Sequence, residues 1–173
     1  MNIKLLAIGK TDHKALQSLI DEYSKRLGFY IKFDLEIIPD IKNVKNLSEN
    51  QQKEKEGELI LSKITATDQL ILLDENGKQH SSIGFSEFLQ KKMNSGIKTL
   101  VLVIGGPYGF SENVYKSATG KISLSNMTFS HQMVRLFVIE QLYRGFTILR
   151  NEPYHHQYPI STPQLILQLL QLL

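Results

Sequence analysis

Short apolar runs alternate with segments of helical periodicity along the chain, and this alternation constrains the fold more than any other feature. The first run covers residues 3–8 and ends at Gly9, and residues 13–27 then place apolar side chains at helical spacing. The same pattern predicts further strands at residues 33–38, 69–73, 99–104 and 121–125. It predicts helices at residues 48–64, near 85–89, from 111 to near 120 and at 131–149. Loops or turns are predicted at residues 40–47 and 74–78. Because strands that alternate with helices pair side by side, we predict an α/β fold with a mainly parallel sheet and flanking helices.

The composition is that of one globular domain. The chain has 173 residues, of which 42% are hydrophobic and 21% charged, enough to bury one full core. It has no basic and apolar leader and no apolar run of about 18 residues, so we expect a cytoplasmic protein without a membrane segment. The absence of cysteine excludes a disulfide framework, a thiolate metal site and a cysteine nucleophile. His155 and His156 have no acidic or histidine partner at ligand spacing, so we predict no metal site.

The net charge is small and unevenly distributed. A net charge of +3 gives the chain none of the long basic segments that mark many nucleic-acid-binding proteins. Residues 1–60 are balanced, whereas residues 121–173 have a basic excess: Lys121, Arg135, Arg144 and Arg150 against Glu140 and Glu152. We therefore expect any contact with nucleic acid to be made by this C-terminal part of the chain.

A glycine-rich loop, residues 105–109, directly follows the most hydrophobic predicted strand. Open α/β sheets bind ligands where a strand ends in glycines, because glycine lets the backbone approach the ligand closely. The glycine spacing alone fits a plain tight turn equally well. Neither GxGxxG nor GxxxxGK[ST] occurs in the chain, so a dinucleotide-dependent oxidoreductase and a P-loop NTPase are both disfavoured.

The segment 123–131 is rich in small hydroxyl side chains and lies between a predicted strand and a predicted helix. It fits either a binding loop or a helix-capping segment in which Thr128 or Ser130 is the cap, and spacing alone favours capping. His131, at the predicted helix start, has the same two interpretations.

The last predicted helix, residues 131–149, is apolar on two sides. One side has Val134, Phe137, Val138 and Leu142, and the other has Leu136, Ile139, Tyr143 and Phe146. One sheet buries only one of these sides, so we expect a second partner surface. In a small single domain that surface is most often another copy of the chain, which predicts a homodimer.

Several motifs occur together and in a fixed order. They are LVLVIGGPYG at 100–109, LSNMTFSHQMVR at 124–135, EQLYRGF at 140–146 and NEPYHH at 151–156, preceded by IKLLAIGK, EYSKRL and KEKEGE. In this combination the chain resembles the ribosomal large subunit pseudouridine methyltransferase H family, over about residues 1–157. That family belongs to the SPOUT superfamily, so the resemblance implies a single domain with a deep C-terminal trefoil knot.

The resemblance also implies a site and a reaction. It implies a pocket for S-adenosyl-L-methionine that is made of Leu73, Gly105 and the loop Leu124, Ser125, Asn126, Met127, Thr128 and Phe129. The implied reaction is methyl transfer to N3 of a pseudouridine in 23S ribosomal RNA, within the ribosome, by a homodimer with no metal, DNA or membrane partner. This nitrogen must lose a proton, and the candidates for that chemistry are Tyr154, His155, Arg135, His131 and His156. Tyr154 and His155 rank first because they match the family's terminal motif, which lies beside the cofactor.

The chain departs from the family pattern at three places. Ser130 stands where proline is common, and Gly145 stands where alanine is usual. The third departure is the tail at residues 158–173, which extends past the usual end of the family. It fits a terminal helix with Thr162 as cap and Pro163 at the first position, or foreign sequence.

Two other functional classes compete with an enzyme of this family. One is a non-catalytic ribosome- or RNA-binding module of the same fold. The weaker one is a flavodoxin-like nucleotide-binding domain, which would bind phosphate after its first strand. The loop at residues 9–12 contains a single glycine, so the sequence favours the methyltransferase.

Overall fold

Strands and helices alternate along the residues that the computed structural model describes, 1–41 and 46–155. The elements are β1 (Asn2–Ile8), α1 (Lys14–Gly28), β2 (Phe33–Ile38), α2 (Glu49–Leu61), β3 (Asp68–Gln79), α3 (Ser82–Asn94), β4 (Thr99–Ile104), α4 (Glu112–Ser117), β5 (Gly120–Ser123) and α5 (His131–Leu149). The predicted alternation is therefore confirmed. The predicted tail at 158–173, with Thr162 and Pro163, and His156 lie outside the described residues.

The strands form one parallel sheet in the order β2-β1-β4-β3-β5. Helices cover both faces, which is why the central strands are almost continuously apolar. Helices α1, α3 and α5 pack on one face, where Leu5, Leu102 and Ile139 are fully buried. Helices α2 and α4 pack on the other, against Leu6, Leu72 and Val103. The α/β prediction is confirmed.

Serine residues cap three of the helices. The Ser48 hydroxyl accepts the Gln51 N–H at 3.2 Å, and the Gln51 side chain accepts the Ser48 N–H at 2.9 Å, which together form a capping box. Ser81 caps α3 and Ser130 caps α5 in the simpler one-sided way. The predicted capping role of Ser130 is thus confirmed. Ser130 supplies a hydroxyl acceptor that a proline at this position lacks.

The third strand is longer than the sequence predicts. The expected turn at residues 74–78 is instead an irregularity inside β3, because pairing with β5 shifts between Leu73 and Lys78. The Asp74 carboxylate accepts the Asn76 N–H at 2.8 Å, which bends the chain locally before the strand resumes. A Cβ on Gly77 would lie 2.4 Å from the Ile122 backbone, so only glycine allows the two strands to approach here. The helix predicted to reach residue 64 ends at Leu61, and β5 ends two residues earlier than predicted.

Helix α5 buries its two apolar sides largely within the chain. It packs between α1 and α3 as well as on the sheet, and Val138, Leu142 and Phe146 are buried there. Gly145 brings α5 close to α3, since a Cβ at this position would lie 2.8 Å from the end of the Leu89 side chain. The two apolar sides therefore do not by themselves require a second subunit. In the described part of the chain, no helix is long and apolar enough to cross a membrane.

Candidate active site

A cleft of about 140 Å³ lies at the carboxyl edge of the sheet, where the regular pairing of β3 ends at Leu73 and where β5 ends. Its lining residues are Leu73, Asp74, Glu75, Ile122, Ser123, Leu124, Ser125, Asn126, Met127, Thr128, Phe129 and Val134. This is the edge of a parallel sheet where ligands are bound in open α/β folds. Leu73 and all six residues of the predicted loop therefore line one cleft.

A second cavity of about 400 Å³ adjoins this cleft. The two share Ile122, Ser123, Leu124 and Phe129 as a common wall. Pockets for cofactors usually measure about 300–1,000 Å³, so the first cleft is smaller than this range and the second lies within it. Phe129 stacks edge-on against Phe137 with ring centroids 4.9 Å apart, and this contact holds the shared wall in place.

Hydroxyl groups hold the loop at 124–129 in its curved conformation. The Ser123 hydroxyl donates to the Ser125 carbonyl at 3.0 Å, and the Met127 N–H donates to the Ser125 hydroxyl at 2.9 Å. The Gln79 amide donates to Asn126 Oδ1 at 2.6 Å, which ties the loop to the end of β3. Because Ser130 caps α5, the preceding residues are left to line the cleft. Residues 124–129 of the segment 123–131 therefore line the cleft, whereas Ser130 caps the helix that follows.

The cleft combines apolar walls with carboxylates. Leu73, Ile122, Leu124, Met127, Phe129 and Val134 supply the apolar part. On the polar side, the Tyr115 hydroxyl donates to Asp74 Oδ2 at 2.6 Å. Burial and the Asp74 carboxylate raise the pKa of Tyr115 to about 12, so Tyr115 remains a donor at neutral pH. Sequence analysis did not identify Asp74, Glu75 or Tyr115 as site residues. The position of Asp74 directly after a buried strand was the available signal.

Gly105 lies beside this cleft without lining it. It follows Ile104, the register partner of Leu73, at the end of the neighbouring strand β4. A Cβ on Gly105 would lie 3.1 Å from the Phe110 ring. The Gly109 N–H donates to the Gly106 carbonyl at 3.1 Å, and Gly109 has φ +79°, so the loop contains a tight turn. The cofactor-binding role of Gly105 stays a prediction.

Arg135 is buried, with 1% of its surface exposed. Its guanidinium donates to the Thr11 hydroxyl at 2.6 Å and to the Ile8 carbonyl at 2.8 Å. Burial lowers the pKa of Arg135, and the carboxylates of Asp40 and Asp12 oppose this effect. In this conformation Arg135 ties α5 to the end of β1 and does not line the cleft.

His131 is exposed at the first position of α5. It lies on a different surface from the cleft, a groove of about 640 Å³ between the starts of α1 and α5. The groove is lined by His13, Ala15, Leu16, Leu19, Ser130, His131, Gln132, Met133 and Leu136. Two of its large apolar side chains are well exposed, Leu19 at 41% and Met133 at 37%. The structure therefore does not bring His131 together with the cleft residues of its own chain.

Tyr154 lies against α1 and the middle of α5. Its hydroxyl donates to Glu140 Oε1 at 3.0 Å and lies 3.2 Å from the Tyr23 hydroxyl. Its ring packs edge-on against Tyr143 and under the Arg144 guanidinium, which also forms an ion pair with Glu140. Burial, the Tyr23 hydrogen bond and Glu140 all raise the pKa of Tyr154.

Tyr154 and His155 are thus separate from the cleft within one chain. His155 follows Tyr154 with a buried Nδ1 that has no hydrogen-bond partner in the described residues. Neither residue lines the cleft at 122–129, so a single chain does not place the terminal motif beside the predicted cofactor loop. Glu140, which binds both Tyr154 and Arg144, was missed by sequence analysis. Its signal was the i,i+4 spacing to Arg144 inside the EQLYRGF motif.

Comparisons with known proteins agree on one family. A family model described as predicted SPOUT methyltransferase matches residues 1–155. A protein of Flavobacterium johnsoniae named ribosomal RNA large subunit methyltransferase H is 85% identical over 157 residues, which cover 91% of this chain and 100% of the relative. Proteins with the same name from Flavobacterium psychrophilum and Christiangramia forsetii are 84% and 69% identical, with the same coverage of both chains.

Proposed function

The chain belongs to the SPOUT methyltransferase family, and on this premise we propose that it methylates large-subunit ribosomal RNA. In finer terms, we propose methyl transfer from S-adenosyl-L-methionine to N3 of a pseudouridine in 23S ribosomal RNA. The substrate is the ribosome, and the reaction takes place in the cytoplasm. The trefoil knot implied by the family resemblance is part of the same proposal.

The observation that best supports this function is the cleft formed by Leu73 and the loop at 124–129. S-adenosyl-L-methionine has an aromatic base, ribose hydroxyls and a sulfonium, and it supplies an electrophilic methyl group when bound. Apolar walls suit the base, and the carboxylates of Asp74 and Glu75 suit hydroxyl donors and a cation. The lining residues therefore fit this cofactor.

Each part of the cleft has a distinct task in this proposal. Leu73, Leu124 and Phe129 would hold the base, while the backbone of the loop would supply its hydrogen-bond partners. Asp74 is already oriented by Tyr115 and would accept hydrogen bonds from hydroxyl groups. Preorganisation of this kind lowers the cost of ordering side chains when the ligand binds.

The target nitrogen must lose its proton before or during methyl transfer. We propose His155 as the proton acceptor, because the unprotonated ring nitrogen of a neutral imidazole can accept a proton. Tyr154 has a raised pKa and keeps its proton. Its hydroxyl, which donates to Glu140 in the described structure, would turn to donate instead to the negative charge that develops on the base. The Glu140–Arg144 ion pair positions Tyr154 for this task.

Two copies of the chain are needed to join these residues into one site. Tyr154 is held on α1 and α5 of its own chain, whereas the cleft lies at the ends of β3 and β5. We propose a homodimer in which the terminal motif of one copy borders the cleft of the other. The groove between α1 and α5, with exposed Leu19 and Met133, supports this pairing because it offers an apolar surface for a second copy.

The test uses purified protein with radiolabelled S-adenosyl-L-methionine and two substrates. Ribosomes from a strain that lacks the modification should be labelled far better than protein-free ribosomal RNA. A net charge of +3 provides few phosphate contacts, so assembled ribosomal surfaces must supply much of the specificity. Mass spectrometry of the labelled RNA identifies the modified nucleotide.

Three results would each change the proposal. Equal labelling of naked RNA would contradict the assembled-ribosome substrate. Labelling at another nucleotide would contradict the pseudouridine assignment. Labelling of neither substrate, by the full chain and by a chain ending at Gln157, would favour a non-catalytic RNA-binding module.

A further inference from the structure

Glu56 is the only buried acidic residue in the described part of the chain, with 3% of its surface exposed. It lies on α2, a helix whose other acidic side chains are at least partly exposed. Its Oε1 accepts a hydrogen bond from the Gln52 amide at 2.8 Å, while Oε2 has no partner in the described residues. Proteins seldom leave a buried carboxylate oxygen unpaired, because its desolvation is not compensated.

The unpaired oxygen lies directly over the glycine loop. A Cβ on Gly106 would lie 2.1 Å from Glu56 Oε2 and 2.7 Å from its carboxyl carbon. Gly106 is not among the described glycines with positive φ, which are Gly9, Gly96 and Gly109. Its backbone conformation therefore does not require glycine, and the close approach of the Glu56 carboxyl group does.

The next residue of α2 packs on the same loop just as closely. A Cβ on Gly57 would lie 2.3 Å from the Ser111 hydroxyl oxygen, which is also buried and has no partner in the described residues. Two successive residues of α2 thus rest on the segment 106–111, each beside a buried polar atom without a hydrogen bond. Buried polar atoms without hydrogen bonds are rare in folded proteins, and such departures are expected mainly at functional or strained sites.

Burial and two neighbouring side chains act on the pKa of Glu56. Burial raises the pKa of Glu56, the Gln52 hydrogen bond opposes this, and the nearby Asp40 carboxylate raises the pKa further. Asp40 itself lies close to Gly9 at the end of β1, the strand that pairs with β4. The carboxyl group of Glu56 is therefore held against the loop by packing and by Gln52 rather than by a cation in the described residues.

We propose that Glu56 is a positioning residue of the cofactor site, which fixes the backbone of Gly105 and Gly106 without lining the cleft itself. This inference rests on the proposed function, because Gly105 belongs to the pocket only if the chain binds S-adenosyl-L-methionine. Gly105 follows the register partner of Leu73, so a shift of Gly106 moves the strand end beside the cleft. Glu56 then acts on cofactor affinity through the loop.

The test is a double-mutant cycle that reads cofactor affinity by calorimetry. Gly106→Ala should weaken binding of S-adenosyl-L-methionine by about tenfold, because the new methyl group collides with the carboxyl group. Glu56→Ala should weaken binding by about fivefold, because the loop loses its support. In the Glu56→Ala background, Gly106→Ala should weaken binding of S-adenosyl-L-methionine by less than about threefold, because the carboxyl group that the new methyl group meets has been removed.

Matched variants separate positioning from folding. Gly28→Ala is the control, since no atom lies within 4 Å of a Cβ at that position, and its affinity should stay at the wild-type value. Glu56→Gln keeps the shape of the side chain and should keep affinity near wild type. Thermal melts identify folded variants, and if Glu56→Ala does not fold, the shorter Glu56→Asp takes its place in the cycle.

Failure of the proposed function and failure of the positioning role of Glu56 would give different results. No binding by the wild-type chain would overturn the proposed function, and this inference with it. Wild-type binding that is unchanged in Glu56→Ala would overturn the positioning role alone. An equal loss from Gly106→Ala in both backgrounds would overturn it too, because the collision with Glu56 would not be the cause.

Discussion

The carboxyl edge of the sheet has two halves that the same fold uses in different ways. At the ends of β3 and β5 the edge is open, and the loop at 124–129 lines a cleft. At the ends of β1 and β4 the edge is closed, because the side chains of Glu56 and Arg135 fill it. The open half exposes backbone and small hydroxyls, whereas the closed half buries charges. The two halves thus differ in both exposure and charge: one is accessible to a ligand and the other is filled by side chains of the chain itself.

The largest expected effect comes from the closed half. Arg135→Leu should lower the free energy of unfolding by about 3 kcal/mol, because the charged donor to the Ile8 carbonyl and the Thr11 hydroxyl is lost from a buried position. Chemical denaturation of both proteins measures this difference. Arg135→Lys, which keeps the charge but loses the planar pair of donors, should give an intermediate loss. A stable Arg135→Leu protein that binds cofactor but has no activity would instead support Arg135 as a catalytic residue.

A smaller effect is expected at the open half. Tyr115→Phe removes the hydrogen bond to Asp74 and should cost about 1 kcal/mol of stability. The pKa of Tyr115 is raised from 10.0 to about 12 in the folded protein, so its contribution is complete below pH 10 and is lost as the pH rises towards 12. Thermal melts should therefore show that the difference between wild type and Tyr115→Phe narrows over this range. A constant difference would mean that the hydroxyl does not donate to Asp74.

The smallest expected effect is at the junction of the open half with α5. Ser130→Ala should cost about 0.5 kcal/mol, at the low end for an N-cap, because the cap hydrogen bond from Met133 is long at 3.4 Å. Chemical denaturation measures the loss, and Ser130→Thr is the control that keeps a hydroxyl acceptor. If Ser130→Ala also abolished cofactor binding, Ser130 would belong to the site rather than to the helix cap.

The two halves also differ in how well the sequence predicts them. Apolar periodicity correctly predicts the number and order of the strands and helices, whereas β3 is longer and α2 and β5 end earlier than predicted. The family resemblance points to Leu73 and the loop at 124–129, which the structure brings together. The burial of Glu56 in the closed half was not predicted, because α2 is rich in charged residues and its sequence is typical of a solvent-exposed helix. Glu56 precedes the buried Ile60 by four residues, and this helical spacing was the available signal for its position on the inner face. Arg135 stays a predicted catalytic residue, but its burial was not predicted, because it depends on how α5 packs on β1, which a single sequence does not specify.

The order of the strands determines when the site can form during synthesis. Strand β1 is the first to be made, yet Asn2 pairs with Thr99, so one side of β1 stays unpaired until β4 has emerged. Strand β5 joins β3 later still, and the loop at 124–129 follows it. Contacts between such distant parts of a chain form slowly, and unpaired strand edges attract other chains in the meantime. A nascent chain of this protein therefore has no cleft until most of the described residues are available, and one side of its apolar first strand stays unpaired until then.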